Sequence, residues 1–214
     1  MKRRIIRVVT VFLAVLLFLF VVQIKPAYWK IFRSDEKEYD TFRFYGLIRQ
    51  EYVPAGEGKA KKIRTLTGLE NGDILVTDGT YCLTYRHGHA AIVIDAKKGL
   101  VLESFGLGTV SEYSDLSAWE TYPHVAVYRL KETKEIRNQI AEYAKKHLTG
   151  ISYRLSCGMI DDKDMDGQYW GTQCAHLVWL AYHYFGYDID GDGGWLVTPH
   201  DITESPWLKL ISFW

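Results

Sequence analysis

The sequence predicts an α+β domain, an antiparallel sheet packed against helices. Three observations predict it. Short apolar runs separated by turn signals fill residues 69–130. Two helical periodicities come late, over residues 133–148 and again from residue 174. A last apolar run, Trp207 to Trp214, follows them. Strands first and helices interposed late fit α+β better than the regular alternation of a doubly wound parallel sheet.

Taken in order, the chain opens on a targeting signal. Met1-Lys-Arg-Arg-Ile-Ile-Arg precedes an uncharged run from Val8 to Ile24. At about 1.5 Å per residue the run is near the lower limit for crossing a bilayer. The basic cluster puts its N-terminal side in the cytoplasm and the rest of the chain outside. Tyr28 and Trp29 suit interfacial anchoring. Residues 1–27 are therefore expected to be an N-terminal transmembrane helix in the cell membrane. Secretion after signal cleavage is the alternative, although no small-x-small site precedes Lys25. Residues 28–68 read as a linker or stalk partly packed on the domain, with Pro54 to Lys62 an exposed loop.

The folded domain is expected over 69–214. Asp73 to Thr77 follows Asn-Gly and reads as a strand. Ala90 to Asp95 is the strongest strand signal, and Lys97-Lys98-Gly99 turns it back into Leu100 to Ser104 as a hairpin. His124 to Leu130 alternates and gives another strand. Ile136, Ile140, Tyr143, Ala144 and Leu148 recur at helical spacing before Gly150. Cys174, Leu177, Val178, Ala181 and Phe185 do the same before Gly186, with Thr172 as the expected N-cap. Trp207 to Trp214 closes the sheet.

Composition excludes less than it permits. Lys+Arg and Asp+Glu balance at 26 each, so no nucleic-acid partner is indicated. With 15 Tyr and 7 Trp the chain suits a packed core or a groove for an extended substrate. Cys82, Cys157 and Cys174 are an odd number, so at least one stays out of any intramolecular disulfide, while a Cys82–Cys157 bridge is open.

Cys174 falls in the first turn of its helix. There the free backbone N–H groups and the positive end of the dipole favour a thiolate. Alone, a buried thiol is the plainer reading. His89 enters the Ala90–Asp95 strand directly after Gly88. On a rigid strand end it is placed to take a proton from a thiol and return it to a leaving amine; alone, it is a polar strand end.

In sequence order, Asn71-Gly-Asp-Ile-Leu-Val, Gly88-His-Ala-Ala-Ile-Val-Ile, Val101-Leu-Glu-Ser and Gln173-Cys-Ala-His-Leu-Val-Trp-Leu-Ala-Tyr resemble the circularly permuted papain-like cysteine hydrolases. These are the YiiX-like relatives of the NlpC-type cell-wall endopeptidases. The resemblance covers about Leu69 to Ile202. It implies Cys174 as nucleophile, His89 as base and Glu103 as the acid that orients the imidazole. Glu103 lies across a tight hairpin from the His89 strand, so the two can be neighbours. A carboxylate holding one ring nitrogen fixes the tautomer. The oxyanion is expected to meet the backbone N–H of Cys174 and a second donor from the Tyr169–Gln173 loop. Relatives often carry Ser-Glu after the cysteine. Here Ala175-His176 stands there, with His176 facing substrate or solvent. Tyr153, Tyr169 and Trp170 are the expected substrate-binding residues.

The implied function is membrane-anchored, extracytoplasmic amide hydrolysis through a cysteine thioester, with a peptidoglycan stem peptide as substrate. A lipid-directed acyl hydrolase or acyltransferase of the same fold is one alternative, and a non-catalytic calcium-stabilised envelope binding module is another. His87 and His89 form an H-x-H pair that could hold zinc with His176 or a cysteine. Asp162, Asp164 and Asp166, or Asp188, Asp190 and Asp192, open like calcium loops, but Gln173 and Pro199 occupy the twelfth positions. No cofactor is needed for the thiol chemistry; calcium would be structural.

Overall fold

The computed structural model describes residues 42–45, 48–57, 59–82, 85–158 and 162–214. The expected anchor at 1–27 lies outside the described residues. Among the described residues no helix is long and apolar enough to cross a membrane.

The chain is α+β, with antiparallel sheets packed against helices. Its strands are β1 (Phe42–Tyr45), β2 (Ile48–Glu51), β3 (Pro54–Gly56), β4 (Lys59–Ala60), β5 (Ile74–Thr77), β6 (Thr80–Cys82), β7 (Tyr85–Arg86), β8 (His89–Asp95), β9 (Leu100–Glu103), β10 (Glu112–Asp115), β11 (Ala126–Leu130) and β12 (Leu208–Phe213). The helices are α1 (Leu116–Trp119), α2 (Lys134–His147), α3 (Cys174–His183) and α4 (Pro199–Glu204). The main sheet runs β10-β9-β8-β5-β11-β12 and is antiparallel throughout. β12 pairs with β11, which is the closing strand expected from Trp207 to Trp214.

Period-2 alternation divides the central strands between two cores. Ile74, Val76, Ala90, Ile92 and Leu102 pack with α2 and α3. Leu75, Ala91, Val93 and Val101 pack on the other side with Trp119 and Tyr122. Both faces of β8 are therefore buried, and for this reason its sequence reads as one continuous apolar run.

Two departures from expectation concern extent. The stretch expected to be a linker or stalk partly packed on the domain forms strands from Phe42 onward: β1 and β2 join β6 and β7 in a four-stranded sheet, order β1-β2-β6-β7. Tyr52 and Leu66 are buried, and Leu66 donates its N–H to Glu120 at 2.9 Å. Charged residues masked this, because Arg49 lies 4.8 Å over the Phe42 ring and Glu51 is buried against the Tyr81 hydroxyl. The second departure is α3, which is not amphipathic. Every residue from Cys174 to Tyr182 is buried, the mark of a central helix.

Gly72 shows how tightly α2 packs on the entry to β5. Its φ is +80° and an added Cβ would lie 2.6 Å from the Arg137 carbonyl oxygen. The Gly72 carbonyl also accepts from the Tyr182 hydroxyl on α3.

Candidate active site

The site forms where β8 begins, β9 ends and α3 starts. Gly88, at φ +74°, turns the chain from β7 into β8, a conformation glycine adopts without the Cβ penalty. Antiparallel pairing sets Ile92 opposite Leu102. Continuing that register places His89 and Glu103 near one another on the Trp119 side of the sheet. His89 Nε2 lies 2.7 Å from Glu103 Oε2.

Glu103 is held from three directions. Besides His89, it accepts from the Trp119 indole N–H at 3.1 Å and from the Ser114 hydroxyl on β10. Burial pushes this carboxyl up, but the hydrogen bond and charge of His89, with Ser114 and Trp119, bring it below its ordinary value. It is an anion in a nearly closed pocket.

His89 is 2% exposed. Trp119 stacks on its ring at 5.3 Å and 18°, and Phe105 meets it edge-on at 5.1 Å. Burial works to lower its pKa. Interaction with the Cys174 sulfur and the Glu103 carboxylate, and the negative charge each carries when ionised, outweigh burial and raise it to about 9. With Nε2 committed to Glu103, the nitrogen left for the sulfur is Nδ1. Glu103 and Cys174 thus both act on the His89 ring, the carboxylate through a hydrogen bond to Nε2 and the sulfur as a second cause of the raised pKa.

Cys174 is 5% exposed and is the first residue of α3. The cap is one residue later than expected: Gln173, not Thr172, accepts from the Ala175 N–H, at 2.9 Å. Thr172 is unavailable because its backbone bridges the strand-like Ser152–Arg154 segment, and its hydroxyl lies 3.1 Å from His176 Nδ1. The Gln173 amide N–H also donates to the Val197 carbonyl. Gln173 thus uses its amide oxygen for the cap and one amide N–H for Val197.

Tyr153 is near enough to Cys174 to feel its charge. Its phenol is pushed up by burial and by the charges of Cys174, Cys82 and Cys157, so it stays a proton donor. Its backbone bridges Thr172, two residues before Cys174. The other two expected substrate residues divide. Trp170 is 45% exposed with the Arg154 guanidinium 4.1 Å over its ring. Tyr169 turns away to α2, its hydroxyl 2.6 Å from that of Tyr143.

His176 faces neither substrate nor solvent. It is fully buried, its Nε2 donates to the Lys163 carbonyl at 2.7 Å, and burial lowers its pKa to about 4. Two residues beyond Cys174, it ties α3 to the loop that carries Lys163. His87 is likewise lowered to about 4 by burial. All three cysteines are free, and the Cys157 thiol lies 2.9 Å from the Arg154 carbonyl oxygen.

The two acidic loops behave differently from the expectation. Among the described residues the one group of three metal-capable side chains is Asp190, Asp192 and Asp201, with ligand atoms within 4.8 Å of one another. Asp188 is not in it, because its carboxylate accepts from the Trp179 indole at 2.8 Å. Asp190 is already bonded to the Lys163 ammonium, and Asp201 closes a capping box with Thr198. Asp162, Asp164 and Asp166 do not converge. Asp201 was beyond sequence reading, since it comes from a different element and its capping role shows only as Thr198-Pro-His-Asp.

No protein-family model matches the chain, and no curated protein matches it. Among solved structures it is similar to the crystal structure of the metalloprotein yiiX from Escherichia coli O157:H7, DUF1105, at 17% identity and a TM-score of 0.50. The alignment covers 67% of this chain and 96% of that one, and at that identity the likeness is one of fold.

Proposed function

We propose that the chain is a cysteine hydrolase that cleaves an amide through a thioester on Cys174. One observation carries the reading: the buried His89 ring is hydrogen-bonded to Glu103, and its pKa is raised by both Glu103 and Cys174, which stands at the start of a helix. In this reaction the thiol proton already resides on His89, whose pKa is raised to about 9, and the sulfur attacks the carbonyl carbon. The oxyanion that forms is met by the Cys174 backbone N–H, free by its place in the first turn, and by the Tyr153 hydroxyl. The C–N bond breaks as His89 gives its proton to the leaving amine. Water, deprotonated by His89, then hydrolyses the thioester and restores the thiol. Glu103 holds the ring and balances its charge throughout.

With residues 1–27 as anchor the site would face the envelope, where a peptidoglycan stem peptide is the substrate we assign. Metal at the sulfur is not part of the reading. His89 Nε2 is committed to Glu103, and the Asp190, Asp192 and Asp201 group includes neither His89 nor Cys174.

The test is to incubate the full chain with purified wall fragments and, separately, with phospholipid vesicles, and to follow released products by mass spectrometry. Stem-peptide cleavage that vanishes in Cys174→Ala, with the fold retained, supports the reading. Acyl release from the vesicles alone would replace the substrate, and cleavage by Cys174→Ala would end the cysteine mechanism.

A further inference from the structure

A second concave site lies at the far end of α3 from Cys174. It is a cleft of about 400 Å³ lined by Tyr143, His147, Asp164, Asp166, Gly167, Tyr169, Leu180, His183 and Tyr184. It gathers two features left over from the proposed chemistry: Tyr169, which turns away from the sulfur, and the first acidic loop.

Among the described residues its lining carries two carboxylates and no lysine or arginine. α2 ends at His147 and α3 at His183, so two helices direct their C-terminal, partly negative ends here. Asp164 and Asp166 are the two carboxylates, and among the described residues neither is in an ion pair. Lys163, their neighbour in sequence, is turned to Asp190 and the Gly194 carbonyl instead. Lys145 and Lys146 stand in the last turn of α2, and Lys145 reaches Glu142 at 3.8 Å.

The walls are aromatic and braced. Tyr143 and Tyr184 stack at 3.9 Å and 15°, His147 stacks on Tyr143 at 4.8 Å, and the Tyr143 and Tyr169 hydroxyls are 2.6 Å apart. Tyr184 remains 63% exposed. A largely exposed ring, that of Tyr184, beside carboxylates suits an organic ammonium group, which gains from the ring quadrupole as well as from charge.

The geometry points to this cleft as a binding site for a primary ammonium group, either a free amine or the end of a lysine-like side chain. It is separate from the thiol site and does not depend on catalysis there.

The test uses the full chain in non-ionic detergent, titrated with n-butylammonium and with its neutral isostere n-butanol while backbone amide NMR shifts are followed. Saturable shifts at residues 143–147, 164–169 and 180–184 are expected for the ammonium and not for the alcohol. Asp164→Asn/Asp166→Asn should weaken the ammonium response at least tenfold; both side chains are exposed, and Asn keeps the turn contact that Asp164 makes with the Asp166 N–H. Equal responses to amine and alcohol, or an unchanged double variant, would overturn the proposal. So would zinc chloride shifting the same residues while butylammonium does not, which would make His147 and His183 metal ligands.

Discussion

Trp119 lies nearly parallel to the His89 ring and donates its indole N–H to the same Glu103 oxygen that His89 holds. One side chain therefore roofs the imidazole and steadies its carboxylate. Trp119→Phe keeps an aromatic roof and removes the donor. A hydrogen bond to a charged group is worth about 1.5–3 kcal/mol, and a loss in that range is expected in urea unfolding. The rate of Cys174 alkylation by iodoacetamide at neutral pH should fall along with it. An unchanged alkylation rate would mean that Glu103 needs no help from the indole.

The buried histidines titrate in opposite directions. His89 is raised to about 9 from 6.5. What it contributes to stability is complete below pH 6.5 and is lost as pH rises through 9. His176, lowered to about 4, contributes fully above pH 6.5 and loses that contribution as pH falls through 4. His87 has the same acid slope. Melting temperatures measured across this range should show His176→Asn with a shallower acid limb and an unaltered alkaline one. His89→Asn should flatten the alkaline limb. Parallel curves for wild type and His176→Asn would show that His176 is not held neutral.

Gln173 joins two parts of the site, capping α3 and holding the Val197 carbonyl. Gln173→Ala should cost about 1 kcal/mol for the cap and more for the lost tether, read by chemical denaturation. Thr172→Ala, by contrast, should leave the helix start intact and loosen His176. If Thr172→Ala instead frays the first turn by circular dichroism, the cap is Thr172 after all.

That cap also marks how far sequence reading reaches. β5, β8, β9, β11, β12, α2 and α3 were legible because each buries a regular apolar pattern over several residues. Cys174, His89 and Glu103 were legible as residue types at the ends of those elements. β1, β2, β6 and β7 were not, because their pairing is stabilised by ion pairs and cation–π contacts such as Arg86 with Asp78 and Tyr81, which have no period. Trp119 could have been suspected only as an aromatic on a short turn. The expectation that His176 faces substrate or solvent fails because a helix without a polar face leaves it buried, hydrogen-bonded to Thr172 and to the Lys163 carbonyl.

Lys163 and Asp190 supply the last test. The Asp190 side chain is fully buried and the Lys163 ammonium is bonded to it, to the Gly194 carbonyl and over the Trp179 ring at 4.7 Å. Burial, with Asp201 and Asp192 nearby, raises the Asp190 pKa even against the lysine. Lys163→Met strands this carboxylate among like charges. Removing one partner of a buried pair costs about 3 kcal/mol or more, and that loss is expected in denaturation at neutral pH. It should shrink on acidification, as Asp190 takes up a proton, and Lys163→Met/Asp190→Asn should recover most of it. Because the lysine already provides the positive charge here, wild-type melting temperatures in millimolar calcium and in chelator should coincide. A calcium-dependent rise in the wild type would instead establish the acidic loop as a structural metal site and make Lys163 its competitor.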